Sequence, residues 1–228
     1  MKQLTRKSAL SFWSWLGRVL LAGVIFLVGA LIFHKSLNYY SPDFQRGYLA
    51  GKGYIWDGIF KYGLYAHIVT APFVLLISTI QVLFRYETRL STVHKTAGKI
   101  YCLLVLILAA PGGLVMSFYA IGGVWAKANF ILLSSLWWVV TFMAWRFARK
   151  RDFTRHRDFM VRSFILALSA VNLRILSFVF VYFFDWQGLE MYTTAAWLSW
   201  VPFLLAFEML ILLGKKNGRS AIQGILML

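Results

Sequence analysis

Three histidines and one arginine are the residues best equipped for chemistry in this chain. His94 and His156 lie 62 residues apart in matching surroundings, Arg89-x-x-Thr92-x-His94-Lys95 and Arg151-x-x-Thr154-x-His156-Arg157. An imidazole can ligate haem iron or another metal, relay a proton or bind a quinone. Two imidazoles at one depth on neighbouring helices could be the axial pair of a single b-type haem, with nearby Lys and Arg meeting its propionates. The same pair could contact lipid phosphate or a cytoplasmic partner, or lie solvated. His67 falls about one turn inside an apolar stretch, where histidine is uncommon and usually faces protein or a cavity. It could serve haem, a metal, a quinone or a proton path, or be a hydrogen-bonded residue near the interface. His34 is read as interfacial.

Arg174 is the most unusual residue, because a charge inside a membrane span costs about 2.5–3.5 kcal/mol on insertion scales. Ser163, Ala167, Ala170 and Ser177 recur at helical spacing beside it. Small and polar residues on one face mark a protein-facing surface, so Arg174 is expected to point inward, with Asn172 on another face. It could hold an anionic headgroup or a propionate, or cap freed carbonyls. Glu208 is the one acid well inside a span. A depth difference of about two helical turns argues against a direct pair with Arg174.

These residues must be positioned by membrane helices. Of the 228 residues, 60% are hydrophobic, 18% aromatic and 14% charged, with a mean hydropathy of +0.68. Soluble domains carry about 25% charged residues, so an ordinary soluble globule is excluded, as is a disordered chain. A net charge of +16 could suggest nucleic acid, but stretches long enough to span a bilayer as helices account for the composition better. We read six spans, over residues 16–33, 62–84, 99–119, 128–148, 159–184 and 192–213, as one all-α transmembrane domain covering 1–228. A four-helix core over 62–184 is flanked by the first and last spans. The first span follows Lys2, Arg6 and Lys7 without a convincing cleavage site and is read as a retained helix.

Seventeen Lys and Arg fall on one side of these spans, among them Arg85, Arg89, Lys95, Arg151, Arg157, Arg162 and Lys215. Five fall on the other: Lys35, Arg46, Lys52, Lys61 and Lys127. By the positive-inside rule both termini are expected in the cytoplasm, as in a multi-pass protein of the bacterial inner membrane. The basic face suits anionic lipid headgroups; a membrane-protein partner is possible, and nucleic acid is not expected. Residues 35–61 should lie against the outer surface, with Tyr39, Tyr40, Tyr48, Tyr54 and Trp56 in the interfacial belt. The tail Gly218–Leu228 can lie on the membrane through Ile222, Ile225, Leu226 and Leu228.

The 62-residue shift suggests two related hairpins, spans two-three and four-five. It sets His67 against Asn129 and Gly112 against Arg174. Pro72, Pro111 and Pro202 sit near mid-span and free the carbonyls of Ile68, Ile107 and Leu198. With His67 and Arg174 they outline a pocket in the outer half, unless they are packing kinks. Ser91 and Asp152 are natural helix N-caps. Trp137, Trp138 and Trp145 read as lipid-facing or packing residues. One cysteine, Cys102, excludes a disulfide framework. Zincin, phosphate-loop, dinucleotide and nucleophile-elbow motifs are absent, and no span carries the paired carboxylates of proton-coupled transporters.

His67, the run His94-Lys-Thr-Ala-Gly98-Lys-Ile-Tyr101, Gly112-Gly113, Trp137, Arg151-Asp152, His156-Arg157, Met160, Arg162 and Arg174 together resemble a bacterial family of predicted membrane proteins, domain of unknown function two-three-zero-six. The resemblance covers residues 62–180, leaves spans one and six outside, and implies little about activity. A looser resemblance runs to dihaem b-type membrane cytochromes, which place two histidine pairs on a four-helix core. Here Asn129 stands where the partner of His67 would be, so one haem or none is expected. The sequence thus supports a lipid-, quinone- or partner-binding membrane subunit without demonstrable catalysis. The alternatives are a redox protein with one haem b on His94 and His156, and a small-molecule transporter.

Overall fold

A chain segment in hydrocarbon must satisfy its own N–H and C=O groups, which an apolar helix does. The computed structural model describes residues 2–83 and 91–216, with side chains over 15–81 and 92–214. Arg85, Arg89, the side chains of the expected cap Ser91 and of Lys2, Arg6, Lys7, Lys215 and Lys216, and Arg219 with the tail Gly218–Leu228 lie outside the described residues. Helices dominate, and no strand occurs among the described residues. Six stretches are long and apolar enough to cross a membrane: Trp15–Tyr40, Ile59–Gln81, Thr92–Ser117, Gly123–Arg149, Phe153–Phe184 and Leu189–Gly214. They overlap the six expected spans, and the protein is an all-α, six-span membrane bundle. The chain divides into two compact units, Met1–Gly112 and Gly113–Leu228.

In the first unit, α1 (Lys2–Ser36) packs along α2 (Ile59–Leu83), which packs on α3 (Ser91–Leu104). Short 3-10 turns at Leu37–Tyr40, Gly47–Leu49 and Gly53–Ile55 join α1 to α2. Their rings close on the start of α2. Trp56 meets Phe44, Phe60 and Tyr65 at centroid distances of 5.2, 6.4 and 6.0 Å, and Tyr65 Oη donates to the Tyr39 carbonyl at 2.9 Å. After α3 the helix widens into a π-turn, Val105–Ala109, before α4 (Ala110–Ser117). Pro111 follows directly, so its missing N–H is absorbed at a widened turn. Gly112 lies hard against α2. A Cβ there would come within 2.6 Å of the Gly63 carbonyl oxygen and 2.9 Å of the His67 amide nitrogen.

In the second unit, α5 (Gly123–Arg149) and α6 (Phe153–Phe184) form a long hairpin. As expected, Asp152 caps α6, its Oδ1 accepting from the Arg155 N–H at 3.0 Å. Thr141 Oγ1 and Ser163 Oγ share a buried hydrogen bond of 2.7 Å between the two helices. The sixth span is broken into α7 (Leu189–Leu198) and α8 (Val201–Lys216), with Ser199-Trp200 between them just before Pro202. Leu173 of α6 packs with Met191, Ala195 and Ala196 of α7, and Phe207 and Ile211 of α8 pack against Val161 and Ile165.

Burial repeats at the 62-residue offset. Leu64 and Ala126, Leu75 and Trp137, Ser78 and Val140, Thr79 and Thr141, Tyr101 and Ser163, Val105 and Ala167, and Ala109 and Val171 are buried in both members of each pair. Thr79 donates to the Leu75 carbonyl at 2.8 Å and Thr141 to the Trp137 carbonyl at 2.7 Å, the same bond at the same offset. The correspondence ends at Gly112 and Arg174, the first buried and the second exposed.

Gly112→Ala should therefore destabilise the first unit by about 1–3 kcal/mol through overpacking. Gly17→Ala, where a Cβ meets nothing within 4 Å, should not. The thermal midpoint of the detergent-purified protein reads the difference; equal midpoints would refute the close approach.

Candidate functional site

His67 is half-buried on α2, and its Nδ1 lies 2.7 Å from the carbonyl oxygen of Ala109, the last residue of the π-turn. A carbonyl only accepts, so Nδ1 carries a proton and donates it to this bond. His156 behaves alike in the second unit, with Nδ1 donating to the Ala144 carbonyl at 2.9 Å. Both rings are thus fixed by helix carbonyls, the orientation that second-shell bonds give a ligating imidazole and also that of a structural cross-link. His94 is exposed near the start of α3, where its carbonyl accepts from Gln81 Nε2 at 2.9 Å. Among the described residues no three or more His, Cys, Asp or Glu gather as a metal site.

Asn129, the repeat counterpart of His67, is fully buried, and neither of its amide atoms has a hydrogen-bond partner among the described residues. Sequence reasoning weighed it only as a missing histidine. A buried amide inside an apolar span was the signal to treat it as a site residue in its own right.

Glu208 pairs with Arg162, not Arg174. Arg162 Nε and Nη2 reach Glu208 Oε1 and Oε2 at 2.6 and 2.8 Å, a two-pronged bond between α6 and α8. Phe159 and Phe207 lie against the guanidinium, 4.9 and 5.4 Å from its carbon. Arg162 was counted among the loop charges. It stands nine residues into α6, one helical face from a carboxylate that needs it.

The expected inward direction of Arg174 is corrected by the structure. Ser163 and Ala167 of the small-residue stripe are buried, but Ala170 and Arg174 are exposed. Near its start α6 packs on α5 through Ser163. Further along, its buried residues are Ser169, Val171 and Leu173, with Leu173 packed on α7 and on Phe130 of α5, and Arg174 is left exposed. Arg174 makes no hydrogen bond or ion pair among the described residues. It is the lone charge in residues 163–184, with ten or eleven residues of helix on each side. At ~1.5 Å per residue that is about 15 Å either way, half of a hydrocarbon core of ~30 Å. Phe178 and Tyr182, one and two turns on, are exposed beside it with ring centroids 4.5 Å apart.

Asn172, on another face as expected, donates from Nδ2 to the Ser199 carbonyl at 2.9 Å. It satisfies the backbone where the sixth span breaks. None of His67, Arg174 or the three mid-span prolines lines a groove in the second unit formed by Gly122, Trp125, Trp186, Glu190, Thr193 and Trp197 with their neighbours.

Outside the spans, Lys52 is buried among rings. Its Nζ donates to the Tyr48 carbonyl at 2.6 Å and sits 3.3 Å from the centroid of the Tyr48 ring. Burial pushes its pKa down to about 8.

Six apolar helices tied by intramembrane polar bonds define a polytopic helical membrane protein. The chain belongs to the family described as predicted membrane protein, DUF2306, whose model matches residues 64–211. The match runs through the sixth span, which the sequence resemblance had left outside. No curated protein and no solved structure matches the chain.

The Lys52 environment gives a pH dependence of definite sign. With the pKa lowered from 10.5 to about 8, the opened loop binds more protons than the closed one between those values, so stability rises with pH across that window. The thermal midpoint of the wild type should climb between pH 8 and pH 10 relative to Lys52→Met, which removes the charge and keeps the chain packed. Parallel pH profiles would refute it.

Proposed function

We propose that the protein is a non-catalytic membrane subunit that docks the transmembrane helix of a partner protein through the exposed face around Arg174. The observation that carries this reading is a guanidinium midway along the apolar helical run 163–184, exposed and without a partner among the described residues. Such a group costs about 2.5–3.5 kcal/mol unless something answers it. Lipid phosphates lie about 15 Å away at either interface. Side chains on a helix lean toward its N-terminus, which carries the guanidinium from residue 174 toward residue 170, still within hydrocarbon. An acceptor on a neighbouring helix meets it without deforming the bilayer. A second copy of this chain is a poor source, because its intramembrane acid, Glu208, is held by Arg162. Lipids and quinones are the competing ligands of the same face.

The proposed setting is a bacterial inner membrane with both termini in the cytoplasm. The seventeen-to-five Lys and Arg asymmetry supports it, and it sets the basic loops against anionic headgroups.

A photo-crosslinking residue at Phe178, one turn from Arg174 and exposed, tests the reading in native membranes. We expect one discrete protein adduct that disappears in Arg174→Leu while the folded protein remains extractable, with a thermal midpoint no lower than the parent's. Adducts to lipid alone, adducts to a second copy of the chain, or loss of all folded protein would overturn it.

A further inference from the structure

We infer that the groove at one end of the second unit binds an organic ammonium group. The groove holds about 950 Å³ and is lined by three tryptophans, Trp125, Trp186 and Trp197, with Glu190, Thr193 and Thr194 beside them. Indole faces carry the negative lobe of the ring quadrupole and are the best aromatic surface for a cation. The single charge in the lining is the Glu190 carboxylate, which is exposed and makes no ion pair among the described residues. In a chain of net charge +16 this is an unusual setting. The charges in residues 118–130 and 182–200 are Lys127, Asp185 and Glu190, and Lys127 does not line the groove. The sign therefore selects a cation. The apolar, aromatic walls select one wrapped in carbon, such as a quaternary or alkyl ammonium, over a hydrated metal ion.

The walls are built rather than incidental. Gly122 and Gly188 take φ of +107° and +94° in the two turns that border the groove, a region favouring glycine. At Gly122 a Cβ would come within 2.8 Å of Thr193 Oγ1 and 2.9 Å of the Ala126 Cβ, so the turn before α5 is seated directly on α7. Trp186 is anchored by its backbone N–H donating to the Phe180 carbonyl at 3.0 Å, and its ring packs on the Phe180 ring at 5.2 Å. Trp197 stacks on Trp200, centroids 6.1 Å apart. A belt of interfacial tryptophans needs no shared concavity and no carboxylate in its lining.

The ammonium could be carried by a zwitterionic phospholipid or be a free solute. Both share the recognition chemistry.

The test uses the full chain in nanodiscs of phosphatidylglycerol, titrated with choline and with its uncharged isostere 3,3-dimethyl-1-butanol, followed by tryptophan fluorescence. We expect a saturable change with choline and none with the alcohol. Glu190→Gln should weaken choline binding roughly three- to five-fold and Trp197→Leu about ten-fold, with Trp197→Phe in between. Competition by phosphatidylethanolamine mixed into the nanodisc would assign the ammonium to lipid, and its absence to a soluble cation. Equal responses to choline and the alcohol, or Glu190→Gln binding choline as the parent does, would overturn the proposal. Glu190→Gln is isosteric at an exposed site, so its fold is retained and the result is interpretable.

Discussion

A polar group inside hydrocarbon has no water to turn to, and this constraint organises the whole molecule. At several places among the described residues where a span departs from a regular apolar helix, a side chain from a neighbouring helix supplies a hydrogen bond. His67 donates to Ala109 at the end of a π-turn beside Pro111, and Asn172 donates to Ser199 where the sixth span breaks. Glu208 is matched by both prongs of Arg162. Thr141 and Ser163 satisfy each other at the heart of a hairpin. Replacing one member of a buried pair would leave the other unanswered, which costs more than the pair contributes. Against that background Asn129 is buried with neither amide atom partnered, and Arg174 is exposed and unpaired, among the described residues.

Composition and span length made the helical membrane class legible. The six spans, the cap at Asp152 and the 62-residue repeat could all be traced in the residues, because apolar run length and cap chemistry are local properties. The repeat rested on a few loop residues. Its stronger evidence is the seven buried pairs, which depend on which face each helix turns inward. Sequence could nominate His67 and His156 but not the carbonyls that hold them, since those lie 42 and 12 residues away.

Arg174 shows why facing direction is hard to read. The stripe Ser163, Ala167, Ala170, Arg174 is coherent on paper. However, α6 packs on α5 and α8 near its start and on α5 and α7 further along, and its buried face rotates between them. A stripe read over four turns assumes one neighbour throughout. Arg162 was misread for the opposite reason: it lies next to a run of loop charges, and only the fold brings Glu208 to it.

Family membership adds the boundary of the shared unit, residues 64–211. Within it fall the helix cross-links, Arg174 and the aromatic groove, while all of α1 lies outside. We propose that the Arg174 guanidinium is answered by a group on another protein. The most direct measurement is dipolar-recoupling solid-state NMR of the arginine-¹⁵N-labelled chain in ¹³C-labelled native membranes, as a difference against Arg174→Leu. A carboxylate carbon of another chain is expected within about 4 Å of the guanidinium. Lipid phosphorus as the nearest acceptor, or no acceptor at all, would contradict it.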